Sequence, residues 1–278
     1  MIGFVDVGGG TRGIFGAGVF DYCIDHGIEC DYFIGVSAGA ANGVSFIGGQ
    51  RGRNYVYYND YAFRKEYMSK RNFIKTGSYL GLDYIYRTLS NSDGEYPVDY
   101  QSFIKSKTDF FAVATDAITG SPIYFGKDTM KENDYGILCA SCCVPVVCKP
   151  YEITGQMYFD GGISDPIPVQ KAIDDGCDKI VIVLTKPKCE FRTPEKDIRL
   201  SKLLRKKYPK AAEALSNRAD TYNNSLKTIL RLEKEGSVLI VAPDDIGKLK
   251  TLSQDHVQLD MLYQMGYEKA RLIESYLG

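Results

Sequence analysis

Histidine is close to missing from this chain of 278 residues. It occurs only at positions 26 and 256, so a hydrolytic site built on imidazole has little to draw on. A surplus of charge is missing too: 34 Lys and Arg stand against 35 Asp and Glu, which excludes a dedicated nucleic-acid binder, because such a surface needs a basic excess. No apolar run reaches the ~20 residues of a membrane span. The longest stretch without charge, Tyr32 to Gln50, is broken by Ser37, Asn42, Ser45, Gln50 and five glycines, so any membrane contact is expected to be peripheral. The start, Met1 to Val7, has no basic leader and is interrupted by Asp6; no signal peptide is expected, and the expected location is cytoplasmic. A calcium loop of the Asp-x-Asp-x-Asp-Gly type is absent, as is a second paired-cysteine knuckle, so nothing visible calls for a metal or another cofactor.

Hydrophobic residues make up 44% and charged residues 25%, which excludes global disorder. The length suits one large α/β domain, or such a domain with an appended helical part. Eight cysteines in a chain without an export signal read as reduced thiols. Four of them, Cys139, Cys142, Cys143 and Cys148, fall within ten residues, a spacing that raises a metal site. Neither histidine is near them in sequence, and cysteine often serves as a small buried apolar residue, which is the favoured reading.

Ile2 to Val7 reads as a buried strand that breaks at Gly8-Gly9-Gly10, with a helix from about Phe15 to His26 stopped by Gly27. Tyr32 to Val36 reads as a second strand running straight into Ser37-Ala38-Gly39-Ala40-Ala41. Phe110 to Asp116 and Pro122 to Phe125 suggest a strand pair, Gly136 to Cys143 a short buried helix, and Gln156 to Phe159 a strand ending at Asp160-Gly161-Gly162. A helix to about Asp175 and a strand Lys179 to Thr185 follow. Beyond lies a locally basic segment, with 11 Lys or Arg against 4 Asp or Glu from Lys186 to Arg218. Helical periodicity then spans Ile198 to Glu235, a strand Val238 to Ala242, and a last helix Asp255 to Leu277. Strands alternating with helices predict a mostly parallel sheet covered on both faces, with ligands at the carboxyl ends of its strands.

Gly35-Val36-Ser37-Ala38-Gly39 has the form of a nucleophile elbow, in which a serine is presented on a tight strand-to-helix turn. A serine hydroxyl needs a base. His256 is the histidine that follows both the serine and the acidic candidates, but Ser253-Gln254-Asp255-His256 looks like a helix start; His26, beside Gly27, reads as a helix-terminal residue. Asp160 is the better candidate, standing at a strand end and followed by Gly161 and Gly162, although Asp-Gly-Gly alone also fits a plain turn. Gly8, Gly10 and Gly13 satisfy Gly-x-Gly-x-x-Gly, a loop that can cradle an anion. A dinucleotide site would want an acid at the end of the second strand. Asp31 lies at its beginning and Ser37 occupies the end, so that reading fails on position.

The loop Gly8-Gly9-Gly10-Thr11-Arg12-Gly13, the elbow about two dozen residues later and the distant Asp160-Gly161-Gly162 together resemble the patatin-like phospholipase family. The resemblance runs from Ile2 to about Thr185 and includes Ala140-Ser141-Cys142-Cys143-Val144-Pro145, similar to the family's Ala-Ser-x-x-x-Pro segment in a cysteine-rich version. It implies a three-layer α/β/α sandwich with a mostly parallel sheet, a catalytic core over residues 1–185, and a mainly helical C-terminal extension over 186–278. It also implies a serine lipid acyl hydrolase of the phospholipase A or lysophospholipase type. Ser37 would be the nucleophile, Asp160 the proton acceptor, and the Gly9 and Gly10 amides the oxyanion hole with Arg12 nearby, without a cofactor. An esterase or thioesterase for soluble acyl groups, and a lipid-binding module without turnover, stay open.

Tyr55 to Tyr86 holds eight of the 21 tyrosines, with Tyr57, Tyr58 and Tyr61 close together and Arg64, Lys65, Lys70, Arg71 and Lys75 interleaved. Such a mixture fits a lid or headgroup-docking face, and equally a half-buried helical region with solvated lysines. Arg205-Lys206-Lys207 reads in the same two ways, as an anionic-lipid contact or a solvated helix face.

Overall fold

The computed structural model describes residues 1–278. The β-branched and aromatic run after Met1 forms β1 (Ile2–Asp6), whose successive side chains leave on opposite faces: Phe4 joins one hydrophobic cluster and Val5 another. The chain continues through α1 (Ile14–Asp25), β2 (Tyr32–Val36), α2 (Ala38–Ile47), α3 (Arg53–Asn59), α4 (Lys70–Thr76) and α5 (Tyr100–Lys105). Then come β3 (Asp109–Asp116), β4 (Pro122–Gly126), α6 (Gly136–Ser141), β5 (Tyr151–Ile153), β6 (Gln156–Asp160), α7 (Val169–Asp174) and β7 (Lys179–Val183). The last elements are α8 (Glu195–Leu204), α9 (Pro209–Glu235), β8 (Val238–Val241), α10 (His256–Lys269) and α11 (Arg271–Leu277).

Five strands in the order β8, β7, β1, β2, β3 run parallel, with β4 and β6 antiparallel to β3, and β5 antiparallel to β6. One face carries Phe4, Phe33 and Val181 against Phe15 and Phe20 of α1, Val44 of α2 and Leu259 of α10. The opposite face carries Val5, Ile34 and Ile182 against Val169 of α7 and Leu226 and Ile229 of α9. This is the expected three-layer α/β/α sandwich. Helices α1 and α10 cross at backbone contact: a Cβ on Gly18 would stand 2.1 Å from the Tyr263 carbonyl oxygen.

Register explains how two distant segments meet. Phe111 to Val113 pair with both β2 and β4, whereas Ala114 and Thr115 pair with both β4 and β6. A strand has two edges, so β4 takes one edge of β3, and β2 and β6 share the other end to end. Val36 lies opposite Val113 and Asp160 opposite Ala114, which brings the carboxyl ends of β2 and β6 together.

Two long helices expected from periodicity are each divided. The Ile198 to Glu235 run is α8 and α9, because Pro209 starts a new helix at its first turn and holds Tyr208 out of helical conformation (φ −134°, ψ 67°). The Asp255 to Leu277 run is α10, capped by Asp255 accepting from Gln258 N at 3.1 Å, followed after Ala270 by α11. The β5 strand, unmarked in the sequence reading, pairs with β6 through Thr154-Gly155, both at positive φ. Residues beyond Lys186 supply the edge strand β8 as well as α9 on one face of the sheet and α10 on the other.

Candidate active site

Ser37 follows β2 directly and has φ 56°, ψ −126°, a backbone conformation that side-chain-bearing residues rarely adopt and that costs roughly 1–3 kcal/mol. Its neighbours hold it there. Ser37 N donates to Ser141 Oγ at 2.8 Å, and Ser141 Oγ donates onward to the Val113 carbonyl at 2.6 Å. A Cβ on Gly35 would stand 2.4 Å from Ala40 N, and one on Gly39 2.2 Å from the Asp6 carbonyl oxygen, so the Gly-x-Ser-x-Gly pattern follows from backbone packing. Ser141 was legible only as part of a family segment; its role as acceptor for the elbow amide needed the fold.

Asp160 closes β6. Its amide donates to the Cys143 carbonyl at 2.9 Å, its carbonyl accepts from Thr115 Oγ1 at 2.9 Å, and its Oδ1 accepts from Gly162 N at 2.8 Å. Gly161 packs against β3, where a Cβ would stand 2.3 Å from the Val113 carbonyl oxygen. Burial raises the Asp160 pKa above the ordinary aspartate range, and the Ser37 hydroxyl, the Gly162 amide, Arg218 and Arg192 pull against it. The Gly162 amide is the one hydrogen-bond donor to the Asp160 side chain, and the Ser37 hydroxyl makes no hydrogen bond. Ser37 and Asp160 are 7% and 8% exposed, sheltered yet not sealed.

Between β1 and α1, Gly8, Gly9 and Gly10 have φ of 63°, 145° and 63°. The loop is fixed on every side. Asp6 Oδ1 accepts from Gly8 N at 3.3 Å, the Gly8 carbonyl accepts from Thr185 Oγ1 at 2.5 Å, and Thr11 N donates to the Thr251 carbonyl at 2.9 Å. The Gly9 amide donates to no protein acceptor. A Cβ on Gly8 would stand 3.1 Å from Ala38 N, so this loop backs directly onto the elbow. Gly13, whose Cβ would stand 2.6 Å from the Tyr58 hydroxyl, lets the following turn settle beside Ala38.

Asn42 ties the parts together. Its Nδ2 donates to Asp6 Oδ2 at 2.8 Å and to the Gly13 carbonyl at 2.9 Å, while its Oδ1 accepts from the Tyr58 hydroxyl at 3.1 Å. Burial pushes the Asp6 carboxyl up to about 7 against the pull of Asn42 and Gly8. Arg12 is buried beside Gly9, and burial followed by the nearby Arg192 lowers its pKa to about 10.

A cavity of about 50 Å³ opens at Ser37, with 12 of its 17 lining residues hydrophobic. Tyr57, Tyr58, Tyr67 and Tyr86 form much of its wall, so the tyrosine-rich segment lines the site; Leu252, from the far end of the chain, closes one side. Of the interleaved cations, Arg64 is held by Glu95 at 2.6 Å and lies over Tyr61, while Lys65, Lys70, Arg71 and Lys75 are exposed. Arg205, Lys206 and Lys207 are exposed as well.

The other sequence candidates are engaged elsewhere. His256 stacks on Phe63 and pairs with Asn59 Oδ1 at 3.1 Å; His26 stacks on Tyr22. Asp31 accepts from Ile2 N at 2.7 Å, at the end of β2 remote from Ser37. Cys139, Cys142, Cys143 and Cys148 are buried thiols without a gathered metal-ligand set. Cys142 Sγ meets the Tyr86 hydroxyl at 3.1 Å beside Ser37, and burial pushes its thiol up to about 12.

A family model described as patatin-like phospholipase matches residues 7–173. The chain belongs to the patatin-like phospholipase family. A second model, a domain of unknown function (DUF6363), matches residues 208–275, the stretch holding α9, β8 and α10. The chain is 32% identical over 197 residues to the uncharacterized protein YjjU of Escherichia coli, covering 70% of this chain and 54% of that one. It is 25% identical over 188 residues to an uncharacterized NTE family protein of Mycobacterium tuberculosis, covering 66% of this chain and 30% of the other. It therefore spans about half the length of the first relative and under a third of the second. The fold is similar to that of VipD from Legionella pneumophila, with a TM-score of 0.50 and 14% identity over 99% of this chain and 67% of VipD. The description of that family model is of a phospholipase. No helix is long and apolar enough to cross a membrane.

Proposed function

We propose that this chain is a serine lipid acyl hydrolase of the phospholipase A or lysophospholipase type, working through Ser37 and Asp160. What supports the reading is one juxtaposition: a serine on a strained elbow, a carboxylate ending the strand that shares its edge of β3, and a glycine loop with a free amide beside them. Asp160 takes the Ser37 proton as Oγ attacks the ester carbonyl, and the Gly9 and Gly10 amides hold the resulting oxyanion. Collapse breaks the bond to the alcohol, which leaves with the proton held by Asp160. Water then attacks the acyl-enzyme, giving its proton to Asp160; collapse breaks the Oγ–acyl bond, Asp160 returns that proton to Ser37 Oγ, and the fatty acid leaves.

The apolar wall around Ser37 suits an acyl chain, and the surface has a place for lipid. On α4, Phe73 and Ile74 are 51% and 84% exposed among Lys70, Arg71 and Lys75, the mixture that favours the headgroup layer of a membrane.

A fluorophosphonate probe should label wild-type protein and not Ser37→Ala. Ser37→Ala and Asp160→Asn should each lower hydrolysis of a long-chain lipid ester in vesicles by roughly 10³-fold or more while still folding and unfolding cooperatively. Wild-type rates from folded variants would overturn the pair. Preference for short soluble esters would instead favour the esterase or thioesterase, and folded protein that neither labels nor cleaves would favour a binding module.

A further inference from the structure

Acids and bases nearly balance over the chain, yet two helices far apart in sequence carry cations that no carboxylate meets. The first is α4, with Lys70, Arg71 and Lys75, and with Lys65 just before it. The second is α8, with Lys196, Arg199 and Lys202, and with Arg205, Lys206 and Lys207 just after it. All ten are exposed and none is in an ion pair. The exposed acids of these two segments are Glu66 and Glu195 alone. Other helices neutralise their cations one turn away, as Lys171 meets Asp175 and Arg231 meets Glu235. Both basic helices also turn apolar side chains into water: Phe73 and Ile74 on α4, Ile198 and Leu203 on α8, Leu203 being 68% exposed. No residue of α4 is buried.

The fold joins both helices to one loop, residues 144–149 between α6 and β5. Tyr79 N, just past α4, donates to the Val147 carbonyl at 2.8 Å, and Lys149 N donates to Ser78 Oγ at 3.1 Å. A Cβ on Gly77, where α4 stops, would stand 2.3 Å from Lys149 Cε, so this exposed lysine adds to the cations of α4. Val146, next to Val147 in the chain, packs instead against the cluster that holds Leu204 and Tyr208 at the end of α8. Val144, which begins the loop, lines the cavity at Ser37 together with Tyr67 and Leu80, the residues that bracket α4. The cavity, α4 and the end of α8 therefore meet at a single turn of chain.

We propose that α4, Lys149 and the C-terminal end of α8 form one docking face for an anionic lipid bilayer, with the cavity at Ser37 held against the headgroups. Cations alone would suit any polyanion. Exposed Ile74 and Leu203 among them favour lipid, because such side chains enter the acyl boundary while Lys and Arg stay with the headgroups. The proposal goes beyond the acyl-hydrolase reading and does not need turnover.

The chain has no tryptophan, so Ile74→Trp and Leu203→Trp each report through a lone indole. Ether-linked lipids contain no ester and keep binding apart from hydrolysis. On vesicles of mixed ether-linked phosphatidylglycerol and phosphatidylcholine both indoles should shift to the blue, whereas Met261→Trp, at a position of α10 that is 64% exposed, should not. Pure phosphatidylcholine should bind about 100-fold more weakly, and about 1 M salt, where screening acts within ~3 Å, should release the protein. The triple variants Lys70→Gln/Arg71→Gln/Lys75→Gln and Lys202→Gln/Arg205→Gln/Lys206→Gln replace exposed side chains without ion pairs, so both should fold. Each should weaken binding roughly 100-fold, because a cation near an anionic surface contributes about fivefold.

Loss of binding in one triple alone, or a blue shift at only one of the two helices, overturns the joint face. Equal binding to neutral and anionic vesicles overturns the anionic dock. An RNA oligonucleotide bound through the same cations, with no indole shift on vesicles, assigns the face to nucleic acid and overturns it as well. Vesicle binding without cleavage of ester-linked lipid leaves the dock standing and removes the hydrolase reading; cleavage of a soluble ester without vesicle binding does the reverse.

Discussion

Ser37 and Asn42 stand on one turn and the helix it starts, and their hydrogen-bonding states are opposite. The Asn42 side chain fills its capacity with Asp6, Gly13 and Tyr58, whereas the Ser37 hydroxyl makes no hydrogen bond and the Asp160 carboxylate is tied only to Gly162. The contrast separates two tasks. Saturated groups fix the relative position of the glycine loop, the elbow and the tyrosine wall; under-bonded groups keep lone pairs and protons free for a ligand. Buried polar groups are ordinarily satisfied, so those left short are where chemistry is to be sought.

Breaking the saturated side should cost stability first. Asn42→Ala would leave Asp6 Oδ2 and the Gly13 carbonyl without this partner in the interior, each worth about 1–3 kcal/mol when orphaned, while the Tyr58 hydroxyl would keep its 3.3 Å bond to the Ala38 carbonyl. A loss of about 3 kcal/mol in chemical denaturation is expected, with reduced activity following from a loosened loop. A fully stable Asn42→Ala protein would dissolve the distinction between scaffold and chemistry. Ser141→Ala is the milder version. It removes the acceptor of the strained elbow amide and should cost about 1–2 kcal/mol. Its kcat should fall more than its KM rises, because a displaced Ser37 impairs attack more than binding. Equal stability with unchanged kcat would show that the elbow holds its φ of 56° without help.

The same division decides what was legible before the fold was known. Gly35, Gly39 and Gly8 announce themselves because a single added carbon would collide with backbone, so packing demands glycine at fixed spacing in a short segment. Ser37 and Asp160 could be paired by motif, yet their meeting depends on β2 and β6 sharing one edge of β3, a long-range fact that no local pattern carries. Asn42 looked like one small polar residue among alanines and glycines. Thr251 lies far beyond the recognised motifs, and only tertiary packing brings its carbonyl to Thr11 N and its hydroxyl to Arg12. The divided helices show the opposite case: Pro209 was a local stop signal overridden, in a reading by periodicity, by the apolar spacing on either side of it.

The under-bonded side carries a stability cost of its own that pH should reveal. Burial raises the Asp160 pKa in the folded chain, so the folded state favours the protonated acid. Stabilisation from that preference is complete below the ordinary aspartate pKa and is lost as pH rises through the higher folded value. Catalysis needs the opposite form, because only the carboxylate can accept the Ser37 proton. The acid limb of kcat/KM should therefore lie above the ordinary aspartate range, with activity rising as pH increases through it. Asp160→Asn keeps an oxygen for Gly162 N but carries no buried charge. It should thus be inactive, more stable than wild type in denaturant at pH 8, and closer to wild type at a pH below the ordinary aspartate range. Parallel stability curves for the two proteins across that window would mean that the wild-type carboxylate is as comfortable in the fold as in water. A poised base would then be ruled out, because the free energy that makes Asp160 reactive is the same free energy that its burial removes from the fold.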